Sequence, residues 1–172
     1  MKSKLCLALV VLFAFIPTVA FATDTKTAEL SGETSARIAD NCSSIRQNLK
    51  NLQRADSRAR TYFGAIYETV SSKFLKPLNL RLVNNDLSNP NLSKLQSSFA
   101  TERTNFSDDF VDYSKSLEDL IAIDCRLEPK QFYEKLLETR EKRTSVAEDL
   151  KLLNSLMLDS VGHVKKLKES PK

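Results

Sequence analysis

Few residues of this chain have both the type and the spacing to do chemistry. Cys6, Cys42 and Cys125 are the candidates for thiol or disulfide chemistry, and His163 is the single imidazole. Asp56, Arg140 and Arg143 are charged residues at or beside otherwise apolar helical positions, and Lys165, Lys166 and Lys168 form the densest basic run. A catalytic dithiol sits most naturally as C-x-x-C at a helix start. Neither Cys42 nor Cys125 has that setting, so their pairing reads as structural. His163 has no Glu three residues before it, so the E-x-x-H pattern of di-metal bundles is missing and it reads as a half-exposed helical residue. The acid pairs Asp108-Asp109 and Glu118-Asp119 are adjacent in sequence, which makes their side chains diverge around a helix; they read as solvated faces. No P-loop, dinucleotide fingerprint or G-x-S-x-G occurs. With one His, three Gly and no Trp, the composition offers little for a metal cage, a catalytic triad or a phosphate-cradling loop. No catalytic residue, metal or cofactor is expected, and the chain is not read as an enzyme.

The compartment bears on the cysteines. Residues 1–22 have the three parts of a cleaved secretory signal: Lys2 and Lys4, an apolar run from Leu5 to Ile16, then Pro17 and the small-residue site Ala20-Phe21-Ala22. The run of twelve residues is shorter than the roughly 20 that span a bilayer. Cleavage after Ala22 leaves 150 of the 172 residues, the size of one domain, in a secreted or periplasmic setting without a transmembrane segment. Cys6 leaves with the leader, so Cys42 and Cys125 remain in a compartment that permits oxidation. Net charge falls from +4 to +2, too mild for a nucleic-acid partner. Residues 23–32, a polar stretch with little to bury, read as a disordered lead-in, and residues 169–172 as a tail.

The elements that position these residues are helical. Prolines at Pro77, Pro90 and Pro129 separate three long segments, each with apolar residues three and four apart. The first stripe runs Ile38, Cys42, Ile45, Leu49, Leu52, Asp56, Ala59, Phe63, Ile66, Val70; the second has Leu92, Leu95, Phe99, then Phe106, Phe110, Tyr113, Leu117, Leu120. A third runs from Phe132 through Thr139, Arg143, Val146, Leu150 and Leu153 to Leu167. Helices are predicted near 33–75, 90–124 and 129–168, with Thr34 or Ser31 capping the first, Asn89 the second, and Pro129 in the first turn of the third. The segment 76–89 reads as a cap on one end, its helicity left open. The fold class is all-α: an elongated antiparallel three-helix bundle, up-down-up and coiled-coil-like, within a single domain spanning 33–168.

Register follows from counting. Leu75 back to Cys42 is 33 residues and Asn91 on to Cys125 is 34, which puts both cysteines at one level, where facing helices satisfy the Cα separation a disulfide needs. Such a bond closes a loop of 83 residues, worth on the order of 4 kcal/mol in the chain-entropy model. An offset of about 87 then sets Asp56 beside Arg143, with Phe110 to Asp112 at the same level. A buried ion pair between Asp56 and Arg143 or Arg140 is predicted in the seam, fixing helix register. Tyr62, Phe63 and Tyr67 are expected to face Phe99, Phe106 and Phe110 as packed core. Gly64 and Gly162 read as points of close helix approach or as a docking notch. A seam filled with side chains leaves no pocket of ligand size.

Contact rather than catalysis is the expected business of such a rod. The reading is an exported non-enzymatic helical-bundle protein, an interaction or structural module of the cell envelope or extracellular space, with an unidentified protein partner or self-association. A periplasmic holdase chaperone and a secreted helical ligand are the alternatives. Lys165, Lys166 and Lys168 offer weak contact with an anionic envelope surface, although a helix C-terminus attracts cations for dipole reasons alone. Sequons occur at Asn41, Asn91 and Asn105.

Overall fold

A computed structural model describes residues 30–87 and 89–169, with side chains as far as Leu167. The predicted leader, most of the lead-in and residues 170–172 lie outside the described residues. Among the described residues every regular element is helical and none is a strand.

The first segment is one helical path with two interruptions. Helix α1 (Gly32–Asp40) starts one residue earlier than its periodicity suggests, because the Ser31 hydroxyl accepts the Thr34 N–H at 3.2 Å and caps the first turn. It stops at Asn41, whose side-chain amide donates to the Arg37 carbonyl at 2.9 Å, and α2 (Cys42–Thr69) begins at the next residue. Val70–Leu75 then forms a π turn that leads into α3 (Lys76–Asn84). The path therefore does not end at 75, as the position of Pro77 suggests. A proline within an α-helix lacks a donor and crowds the carbonyl four residues back. Here the preceding turn is wider: the Lys76 N–H reaches the Ser71 carbonyl five residues back, and Pro77 falls in the first turn of α3. The stop comes at Asn85. Asp86 adopts a left-handed φ of 54°, its N–H reaches Val83 and the Leu87 N–H reaches Leu82, the pattern of a Schellman cap.

Helix α4 (Pro90–Ala122) is capped by Asn89, whose side chain accepts the Leu92 N–H at 3.1 Å, with Pro90 in its first turn. A tight corner built on Asp124, which accepts the backbone N–H groups of Leu127 and Glu128, delivers the chain to α5 (Pro129–Glu169).

Packing is uneven. Helices α4 and α5 approach closely along most of their length, whereas α2 meets α4 more sparsely and α1 leans on α5. Small side chains permit the close approach: the Ser116 and Thr139 hydroxyls bond at 2.8 Å, both buried. Bulky rings hold α2 further off. Tyr67 lies edge-on to Phe99 and Phe106, at 6.1 and 6.0 Å between centroids, and donates its hydroxyl to Asn154 at 3.1 Å. Contacts of α2 with α4 and the corner after it pair rising residue numbers with falling ones (Cys42 with Cys125, Asp56 with Tyr113, Tyr67 with Phe106), while those with α5 rise together (Asp56 with Arg143, Tyr67 with Asn154).

Candidate functional site

The Cα atoms of Cys42 and Cys125 lie 5.4 Å apart, at disulfide distance, in a buried position at the foot of α2. Fourteen residues further along α2, Asp56 gathers the principal polar constellation of the molecule. Its Oδ2 accepts the Tyr113 hydroxyl at 2.6 Å and the Arg143 Nε–H at 3.0 Å; its Oδ1 accepts from Arg143 Nη2 at 3.2 Å. The Arg–carboxylate contact is thus two-pronged, which fixes orientation as well as distance. Burial and donation to Asp56 hold the Tyr113 phenol well above its ordinary value, and the hydrogen bond to Asp56 raises the Arg143 guanidinium. Both groups keep their protons in any physiological medium, so the cluster is a clamp and not a proton relay.

Three features differ from the sequence expectation. Arg140 takes no part: it is exposed, and no contact with Asp56 joins it to the clamp among the described residues. The pair is not a buried one, since the Arg143 side chain is 52% exposed and only Asp56, at 17%, is largely covered. Tyr113 is the partner that sequence reasoning missed. Counting sets Phe110 to Asp112 at this level, a range that ends one residue short of Tyr113, the ring there that carries a hydroxyl.

Next to the clamp lies a cavity of about 140 Å³ between α2, α4 and α5. Phe63, Phe106, Phe110, Tyr113 and Val146 line it, together with Asp56, Arg60 and Arg143. A fully filled seam was expected. The gap arises because Ala59 on α2 and Ala147 on α5 are its small lining residues at equivalent heights, where larger side chains would close it. The Arg60 guanidinium sits 5.3 Å from the Phe110 ring centroid, a cation–π contact, and has no carboxylate ion-pair partner among the described residues.

A second polar cluster joins α4 to α5. Glu102 is buried, accepts from the Asn105 amide at 3.2 Å, and shares its surroundings with Asp109 and Asp149. Oδ2 of Asp149 is buried and makes no hydrogen bond among the described residues. Burial first, then the Glu102 and Asp109 carboxylates, push the Asp149 carboxyl up to about 6. The sequence held a clue to this cluster. The α4 stripe skips from Phe99 to Phe106, and the missing step falls at Glu102.

The remaining candidates fall elsewhere. Tyr62 is 65% exposed and does not join the aromatic core, which it touches only through Phe63. Gly64 and Gly162 have nothing within 4 Å of where a Cβ would stand, so they do not serve close helix approach. His163 is partly buried on α5, and no group of His, Cys, Asp or Glu among the described residues could hold a metal ion. Lys165 and Lys166 are exposed near the end of α5; the side chain of Lys168 lies outside the described ones. Large apolar side chains are left uncovered toward that end, Leu80, Val83 and Leu87 at the top of the first path and Leu158 and Val161 on α5; others stand singly, Leu127 at the corner at the foot, Val111 on α4, and Leu137 and Leu152 along α5. No helix among the described residues is long and apolar enough to cross a membrane. Comparison with protein-family models, curated proteins and solved structures gives no match to this chain.

Proposed function

We propose that this chain is an exported, non-enzymatic interaction module: an elongated up-down-up three-helix bundle, locked at its foot by Cys42–Cys125, that docks a protein partner through its opposite end. The observation that carries the reading is the apolar surface left uncovered there. Leu80 and Val83 on α3 and Leu87 just beyond its cap are 60%, 56% and 63% exposed; Leu158 and Val161 are 70% and 59% exposed. Scattered exposed leucines are ordinary on a protein surface, but a concentration at one end marks a contact site. The signal-like leader and a cysteine pair at disulfide distance support an extracytoplasmic setting.

A photo-reactive residue placed at Val83, and a control at Lys130 near the foot, tests the docking end. The expected result, in envelope fractions or culture supernatant, is one defined protein adduct from Val83 and none from Lys130. Equal labelling from both positions would remove the docking assignment. Near-stoichiometric suppression of aggregation of an unfolded client by the same surface would instead make the protein a holdase.

A further inference from the structure

The cavity beside the clamp has a shape and charge that the docking end does not explain. Its lining is chiefly aromatic and aliphatic, its volume of about 140 Å³ is close to that of the roughly 150 Å³ engineered apolar cavity that accepts benzene, and unlike that cavity it is widely open to solvent, with Arg60, Arg143 and Ala147 exposed. Charge at the site is unbalanced. Asp56 is engaged by both Tyr113 and Arg143, so its negative charge is offset locally, and Arg60 adds a cation facing no carboxylate partner among the described residues. Two guanidiniums against one carboxylate leave the lining at a net charge of +1. A neutral apolar guest would fill the hollow without using that charge; a dianion would overshoot it.

We infer that this cavity is a binding site for a small aromatic monocarboxylate, its ring held among Phe63, Phe106 and Phe110 and its carboxylate met by Arg60 and Arg143. The clamp orients one of the two cations: Nε and Nη2 of Arg143 are committed to Asp56, which leaves Nη1 to a guest. Arg60, already lying against Phe110, brings its charge to the ring face without a rival anion.

The test uses the full mature chain and three probes: benzoate, benzyl alcohol as a neutral analogue of the same size, and acetate as the head group alone. Chemical shifts of the Tyr113 and Phe110 regions, followed by two-dimensional NMR, should move saturably with benzoate, at least tenfold more weakly with benzyl alcohol, and not saturably with acetate. Arg60→Gln should weaken benzoate about tenfold while leaving benzyl alcohol unchanged. Ala147→Leu should abolish both, with unchanged helicity and an unaltered or raised melting temperature; Ala59→Leu provides the same blockade from α2 if the first variant folds poorly. Equal affinity for benzoate and benzyl alcohol, saturable acetate binding at the same residues, or benzoate binding that survives both leucine variants would each overturn the assignment.

Discussion

Helices α2 and α4 carry apolar stripes of similar density, yet they end in different surroundings. On α4 the stripe from Leu92 to Leu120 is buried almost throughout, whereas on α2 Ile45, Leu49, Leu52, Phe63 and Ile66 are only half-covered. The cause is the company each helix keeps. Helix α4 has α5 against it along its length and the first helical path on another side; α2 meets its neighbours across bulky rings and at separate points. Those points are the cysteine pair, the Asp56 clamp, the Tyr67–Asn154 hydrogen bond, the Glu68–Arg103 ion pair and, beyond the π turn, the Asn79 amide on Leu92 and Gln96. Helix α4 is held by area and α2 by attachments. An attachment can be cut with one substitution, which makes the contrast open to experiment.

The largest effect should come from the cysteines. Replacing both by serine frees a loop of 83 residues and should lower unfolding stability by about 4 kcal/mol in urea denaturation, with reduction of the wild type giving the same loss. Hydrogen exchange carries the sharper test. Protection should fall along α1 and α2 while α4 and α5 keep most of theirs. A uniform loss over all the helices would mean that the molecule opens as one unit and that the contrast between area and attachment is wrong.

Asp56→Ala comes second. It leaves the buried Tyr113 hydroxyl without its acceptor and Arg143 without its anion, and should cost about 2 kcal/mol. Arg143→Ala should cost less than about 1 kcal/mol, because a half-exposed guanidinium regains water and the Tyr113 bond survives. That asymmetry separates the clamp from a buried ion pair, in which loss of either partner is expensive. Thermal melts of the two variants, compared with Tyr113→Phe, measure it; equal losses at Asp56 and Arg143 would restore the buried-pair description.

Why the sequence disclosed some of this and not the rest has a physical basis. Helical periodicity reports which side of a helix faces inward, so the all-helical character and the positions of Pro90 and Pro129 at helix starts could be read directly. The Asp56–Arg143 contact followed from register, because two residues per chain segment suffice to fix the height of everything on rigid rods. Coverage could not be read. Whether Phe63 is buried or half-buried depends on the ring sizes across the gap, and a cavity appears only when Ala59 and Ala147 line the same hollow. The π turn was hidden for a different reason: Pro77 carries the ordinary signal of a helix end, and only the backbone shows that an added residue in the preceding turn lets the helix continue. Tyr62 was misplaced because it adjoins a core residue, and a neighbour one step along a helix points some 100° away.

The smallest effect probes the well-packed side of the comparison. Glu102, Asp109 and Asp149 interrupt the otherwise close α4–α5 contact with three carboxyls. In the folded chain Asp149 is pushed up to about 6 from an ordinary value of 3.8, so between those limits the folded state holds a proton that the unfolded chain releases. Its contribution is therefore fully present below about pH 4 and is lost as pH rises through about 6. Partial exposure of the side chain reduces the effect to the order of 1 kcal/mol. Other carboxylates work in the opposite sense, Glu138 among them, since its hydrogen bonds to Lys135 and Lys142 lower its value. The informative quantity is thus the difference between wild type and Asp149→Asn. The amide carries no charge at any pH, so the variant should match the wild type near pH 4 and exceed it by about 1 kcal/mol at pH 7.5. Melting both proteins at the two pH values decides the matter. A variant less stable than wild type at pH 7.5 would mean that an ionised Asp149 is tolerated beside Glu102 and Asp109 without strain, and that the α4–α5 contact has no weak point at its centre.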